Sequence, residues 1–116
     1  MTTELETKPK PASEPCCGIA DLHPEGSEGL AATAAIFKAL SDETRLRILT
    51  AISNLGELCE CNIVPSFGLS QPTISYHLKV LREAALVQSE RRGQWVYHRV
   101  NPRALLAAVR HLTEIA

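Results

Sequence analysis

Residues 69–100 read LSQPTISYHLKVLREAALVQSERRGQWVYHRV, and the change of period inside this stretch decides the fold. Ser70 can cap a helix whose first turn tolerates Pro72, because the first amides of a helix have no intrahelical partner. Ile74, Leu78 and Leu81 then recur at helical spacing as one buried stripe, to about Ala84. Beyond it the period shortens. Residues 86–100 contain two runs of β-branched and aromatic residues around Arg92-Gly93, which is a hairpin signal. Trp95 and Tyr97 share one face of the second strand; Val96, His98 and Val100 share the other.

Upstream, Gly68 closes a short helix and Pro65 limits where that helix can start. Proline is tolerated among the first helical positions, so the helix should begin near Cys61 or Asn62 and leave Leu58 to Glu60 outside it. Before it, Ser41 or Asp42 caps a helix to about Leu55, ended by Gly56, with Leu46, Leu49 and Ile52 as its core face and Ile48 flanking. Ser27 opens the first helix, to about Leu40, with Leu30, Ala34 and Phe37 as one stripe beside Ile36 and Leu40. Pro102 opens the last, through Ile115, with Leu105, Val109 and Leu112 on one face. Residues 1–26, with Pro9, Pro11, Pro15 and Pro24 among polar residues, read as a mobile tail; residues 27–116 read as the folded domain. The fold class is α+β, mostly α: a winged helix-turn-helix in the order α-α-α-α-β-β-α, with the fourth helix as recognition helix.

Such a helix reads DNA with polar residues at its N-terminal end while its other face is anchored on the protein. At about 100° per residue, Pro72, Tyr76 and Lys79 lie opposite the apolar stripe, with Gln71, Thr73 and Ser75 on the flanks. Gln71 can pair bidentately with adenine, and Thr73 or Ser75 can reach a base or phosphate. Tyr76 can donate to a phosphate or make an apolar contact; Lys79 and Arg82 suit phosphates. Arg91 and Arg92 suit a wing that touches phosphates or the minor groove. His77 lies toward the anchored side and reads as a buried, hydrogen-bonded histidine; His23 and His98 carry no special signal.

Charge supports this placement. The net charge of −1 hides a segregation: residues 1–29 carry two basic and six acidic side chains, residues 70–103 six basic and two acidic. No apolar run has the length of a membrane span and the N-terminus lacks a secretory pattern, so a cytoplasmic protein without membrane contact is expected. A phosphate loop, a nucleophilic triad and paired cleft carboxylates are absent from the sequence, which argues against an enzyme.

The four cysteines, Cys16, Cys17, Cys59 and Cys61, point to metal or redox chemistry in that compartment. Thiolates select soft ions. Residues i and i+2 of a helix point about 200° apart and cannot share an ion, whereas in extended chain they point the same way. Keeping Cys59 outside the third helix therefore makes a shared site possible. Three sulfurs suit arsenite or antimonite, and arsenite is the expected inducer; four suit cadmium, lead or mercury, the alternative. A thiol redox sensor, with these cysteines forming disulfides, is the other reading.

FKALSDETRLRIL (37–49), ELCEC (57–61), LSQPTISYHLKVLREAALV (69–87) and RRGQWVYHRV (91–100) together resemble the ArsR/SmtB family of metal-responsive repressors over about residues 30–114. The resemblance implies a homodimer paired through its first and last helices on a palindromic operator, and a regulatory role for the Cys59/Cys61 element in sensing arsenic or cadmium and lead. It also implies that Cys16 and Cys17 on the tail of one subunit reach the helix-turn-helix of the other. The family's zinc site on the last helix is not expected: His111 and Glu114 could fill one half, but Asn101 and Arg103 stand in the other, and arginine cannot ligate zinc. Ala85 departs from the family's usual glycine after the recognition helix, where a left-handed cap is favoured.

Overall fold

The computed structural model describes residues 27–116; the expected tail with Cys16 and Cys17 lies outside the described residues. The elements follow in the order α1 (Ser27–Leu40), α2 (Glu43–Leu55), β1 (Leu58–Cys59), α3 (Glu60–Phe67), α4 (Gln71–Glu83), β2 (Val87–Arg92), β3 (Trp95–Val100) and α5 (Pro102–Ile115). Polar caps and glycines set most of the boundaries. The Asp42 carboxylate accepts from the Arg45 amide at 3.0 Å and opens α2. Ser70 does the same for α4 through the Thr73 amide at 3.4 Å, and Asn101 for α5 through the Arg103 amide at 3.2 Å. Gly68 closes α3 in the left-handed region at φ 66°, a conformation that costs glycine little.

Three features depart from the expectation. First, α3 starts at Glu60, so Pro65 stands in its interior. The Cys59 sulfur caps the helix one residue early by accepting the Cys61 amide at 3.3 Å. Pro65 then removes only the bond to the Cys61 carbonyl, and Cys61 is exposed, so water can replace it. Second, Leu58–Cys59 forms a third strand, too short to leave a periodic signal. It pairs antiparallel with β3, Leu58 opposite His98 and Cys59 opposite Tyr97, giving the sheet order β1-β3-β2. Third, the cap after α4 is left-handed without a glycine. Ala85 takes φ 66°, its amide bonds to the Arg82 carbonyl, and the Leu86 amide bonds to the Leu81 carbonyl, both at 2.9 Å. This paired pattern satisfies the last carbonyls of the helix, and Asn101 Nδ2 donates to the Ala85 carbonyl at 2.8 Å.

The core gathers Ile36 and Ala39 from α1, Ile48, Leu49 and Ile52 from α2, Ile63 from α3, and Ile74, Leu78 and Leu81 from α4. Ala84, Leu86, Val87, Ala104 and Ala108 complete it. The α4 stripe is as expected. On α2 the buried face is Ile48, Leu49 and Ile52, and Leu46 turns outward. On α1 Ile36 and Ala39 face inward and on α5 Ala104 and Ala108 do, while Leu30 and Ala34 of one and Val109 and Leu112 of the other are exposed. These helices pack on each other and keep a second apolar side that the chain itself leaves uncovered. No described helix is long and apolar enough to cross a membrane.

Candidate nucleic-acid interface and thiol site

Burying Ile74, Leu78 and Leu81 fixes which side of α4 faces outward. Gln71, Thr73, Ser75, Tyr76 and Lys79 are all exposed on it. Several already have partners. Thr73 Oγ1 and Ser70 Oγ are 2.9 Å apart, within the N-terminal cap. Ser75 Oγ donates to Glu60 Oε2 at 2.8 Å, tying α4 to α3. Lys79 Nζ lies 4.0 Å from Glu83 on an exposed face, a weak pairing. His77 is half-buried rather than buried, with Nδ1 3.2 Å from Arg45 Nη1; its neighbour Arg45 also donates to the Ala39 carbonyl at 2.7 Å.

In the wing the turn falls at Gly93-Gln94, and Arg92 pairs across the sheet with Trp95. Arg91 is exposed and donates to the Gly93 carbonyl at 3.2 Å. Arg92 is engaged more fully: it bridges Glu57 at 2.7 and 3.0 Å and Glu90 at 3.0 Å, and its guanidinium stacks 4.5 Å from the Tyr97 ring centroid. The Arg92 hydrogen bonds hold the Glu57 carboxyl below its ordinary range. A phosphate reaching Arg92 would compete with two carboxylates.

Cys59 and Cys61 come together where β1 meets α3. Cys59 is 3% exposed, and Cys61 stands at the surface. Hydrogen bonding to the Cys59 sulfur pushes the Cys61 thiol above its ordinary value, with added repulsion between the two groups. The Cys59 sulfur also accepts the Cys61 amide at 3.3 Å, which follows from the change of backbone at Cys59, extended at φ −85°, ψ 145° before the helix begins. The two soft donors fit a thiophilic ion. Among the described residues no group of three or more His, Cys, Asp or Glu is placed to hold a metal ion. The thiols open into a cleft of about 380 Å³ that also holds Glu60, Val64, Pro65, Gln71, Gln94 and Trp95. The candidate thiol site and the first residue of the recognition helix therefore share one cleft.

Sequence reasoning missed two residues here. His98, taken as ordinary, is 1% exposed; its Nδ1 is 2.8 Å from Ser89 Oγ, and its Nε2 is buried without a hydrogen-bond partner. Burial lowers its pKa, Glu60 opposes that shift, and Arg82 adds to it. Glu60, between the cysteines, places Oε1 3.8 Å from that Nε2. The alternation of β3 put His98 on an inward face with Val96 and Val100, which was the available signal. Nothing in the sequence pointed to Glu60.

A short helix, a left-handed glycine turn, a helix with an exposed polar face and a two-stranded wing define a winged helix-turn-helix protein. Residues 42–89 match the arsR family of bacterial regulatory proteins. An arsenical resistance operon repressor of Staphylococcus aureus is 38% identical over 82 residues, covering 71% of this chain and 78% of that protein. The chain belongs to the arsR family. It is 49% identical over 67 residues to an arsenic resistance transcriptional regulator of Pseudomonas putida, and the match spans 58% of this chain but only about half, 52%, of that relative. Among solved structures, the homodimeric winged helix-turn-helix DNA-binding domain of Mb0332 from Mycobacterium bovis, a possible ArsR-family regulator, superposes with a TM-score of 0.67. It is 26% identical, over 83% of this chain and 90% of that one.

Proposed function

We propose that this chain is a cytoplasmic transcriptional repressor that binds operator DNA as a homodimer and leaves it when arsenite, or antimonite, binds through cysteine thiolates. The observation that carries this reading is the meeting of Cys59 and Cys61 at the start of α3, where the Cys59 sulfur accepts the Cys61 amide, in one cleft with Gln71 of α4. A ligand there acts on the element that presents the DNA-reading face. The arsenic-resistance names of the relatives support the choice of ion. The uncovered apolar sides of α1 and α5, with Val109 56% and Leu112 53% exposed, support pairing with a second copy. Two-fold symmetry would then set two α4 helices about one DNA turn apart. Gln71, Thr73, Ser75 and Tyr76 would meet base edges or phosphates, and Lys79, Arg91 and Arg92 the backbone. Cys16 and Cys17 would complete the sulfur set.

Titrating the operator complex of the full chain with arsenite, cadmium, lead and mercury under full reduction tests this. Release by arsenite at the lowest concentration, lost in Cys59→Ser and Cys61→Ser and weakened in Cys16→Ser or Cys17→Ser, is expected. Preferential release by cadmium or lead would replace the ion, and release only after adding an oxidant would replace metalloid sensing by redox sensing.

A further inference from the structure

Glu60 stands between the two cysteines, and its carboxylate touches both DNA-facing parts of the fold. Its side chain is 20% exposed, so these contacts are partly shielded from water. Oε2 accepts from Ser75 Oγ on α4 at 2.8 Å, and Oε1 lies 3.8 Å from His98 Nε2 on β3. That nitrogen is buried and has no hydrogen-bond partner, which is a costly state for a polar atom. A ring that accepts the Ser89 hydroxyl proton on Nδ1 carries its own proton on Nε2, facing the carboxylate.

We infer that Glu60 is the positioning residue that carries ligand binding at the flanking thiols to the recognition helix, by exchanging its hydrogen bond to Ser75 for one to His98. This rests on the thiol-sensing reading above. Drawing the sulfurs of Cys59 and Cys61 onto one ion fixes the backbone of the single residue between them, and so the direction of its side chain. As the fold stands, the carboxylate braces Ser75 and with it the N-terminal half of α4. Turned toward β3, it satisfies the orphaned Nε2 after closing roughly 1 Å, to ordinary hydrogen-bond distance. In the structure Oε2 and Oε1 face the two partners at once, so a tilt of the carboxylate that shortens the His98 contact lengthens the Ser75 bond, and a side chain shared in this way can pass coupling. Both contacts operate with a neutral imidazole.

The test uses the full-length dimer. Arsenite affinity is read from Trp95, the chain's single tryptophan, which lines the same cleft as the thiols. Operator affinity is read by anisotropy with and without saturating arsenite. Glu60→Ala and Ser75→Ala should hold arsenite affinity within about twofold while the ratio of operator affinities falls by about five- to tenfold, and the double variant should lose no more than either single one. Glu60→Gln, which keeps an acceptor oxygen, should retain most of the ratio. A wild-type ratio in Glu60→Ala, additive losses in the double variant, or a parallel loss of arsenite affinity would each overturn the inference. If the reduced wild-type protein is itself not released by arsenite, the sensing reading fails and this inference falls with it. If wild type and Glu60→Ala release alike, only the inference fails.

Discussion

Ala85→Gly should raise the stability of this protein, although it removes a side chain and loosens the unfolded chain. Ala85 sits at φ 66° in the cap that ends α4, with the cap bonds at 2.9 Å fixing it there. The left-handed region costs a residue with a Cβ about 1–2 kcal/mol. Glycine pays back roughly 0.4–1 kcal/mol through its greater freedom when unfolded. Ala85 is exposed, so deleting its methyl group sacrifices little packing. The Asn101 bond to its carbonyl is retained because it uses the backbone. The net gain is about 0.8 kcal/mol, which for a domain of this size lifts Tm by roughly 3–6 °C. Thermal unfolding followed by circular dichroism measures it, at one protomer concentration because dimer stability depends on concentration. Ala85→Val should move Tm the other way, since a β-branched residue fits the left-handed region worse. A Tm for Ala85→Gly at or below wild type would refute the claim that this cap is strained.

Further expectations concern the core, the dimer, the wing and pH. Leu78→Ala should cost about 2–5 kcal/mol in chemical denaturation, because Leu78 is fully buried in the α4 stripe, whereas Tyr76→Ala on the exposed side should leave the midpoint nearly unchanged and weaken operator binding. Leu112→Glu should shift sedimentation toward monomer; an unchanged dimer would move the interface away from the outer side of α5. Arg91→Ala should lower the slope of log affinity against log salt by about one if it contacts a phosphate. His98 is buried, so its folded pKa lies below the ordinary 6.5. The unfolded chain then binds more protons, and the stability that the neutral ring contributes is present above about 6.5 and lost as pH falls through that value toward the folded pKa. The difference in stability between wild type and His98→Gln should shrink between pH 7 and 5, and a constant difference would contradict the burial argument.

Much of this architecture is legible in the sequence because it depends on local rules. Ser70, Pro72 and the Ile74/Leu78/Leu81 stripe dictate α4 and its outward face without reference to the rest of the chain. Gly56 and Gly68 mark helix ends in the same way. The α1 and α5 stripes show in the sequence as apolar faces, but spacing alone does not say whether such a face packs on its own chain or stays outside. Here Ile36, Ala39, Ala104 and Ala108 pack inward, and Leu30, Leu106, Val109 and Leu112 stay outside. The candidate site was half legible. The cysteines and the polar face of α4 stood out by residue type and spacing. The Glu60–Ser75 and Arg92–Glu57 contacts did not, because each joins residues brought together only by the tertiary fold, 15 and 35 positions apart. Strand β1 escaped for a similar reason, since its pairing with β3 defines it and its two residues show no period.

Sulfur ligation beside α3 and seating of α4 on DNA should oppose each other. Operator Kd of the reduced dimer, measured with and without saturating arsenite for wild type and for Cys59→Ser/Cys61→Ser, puts this to one comparison. Wild type should bind at least about tenfold more weakly with arsenite, a coupling within the usual allosteric range, and the double variant should bind equally well in both conditions. A double variant that still lets go of its operator as the wild type does would contradict the account.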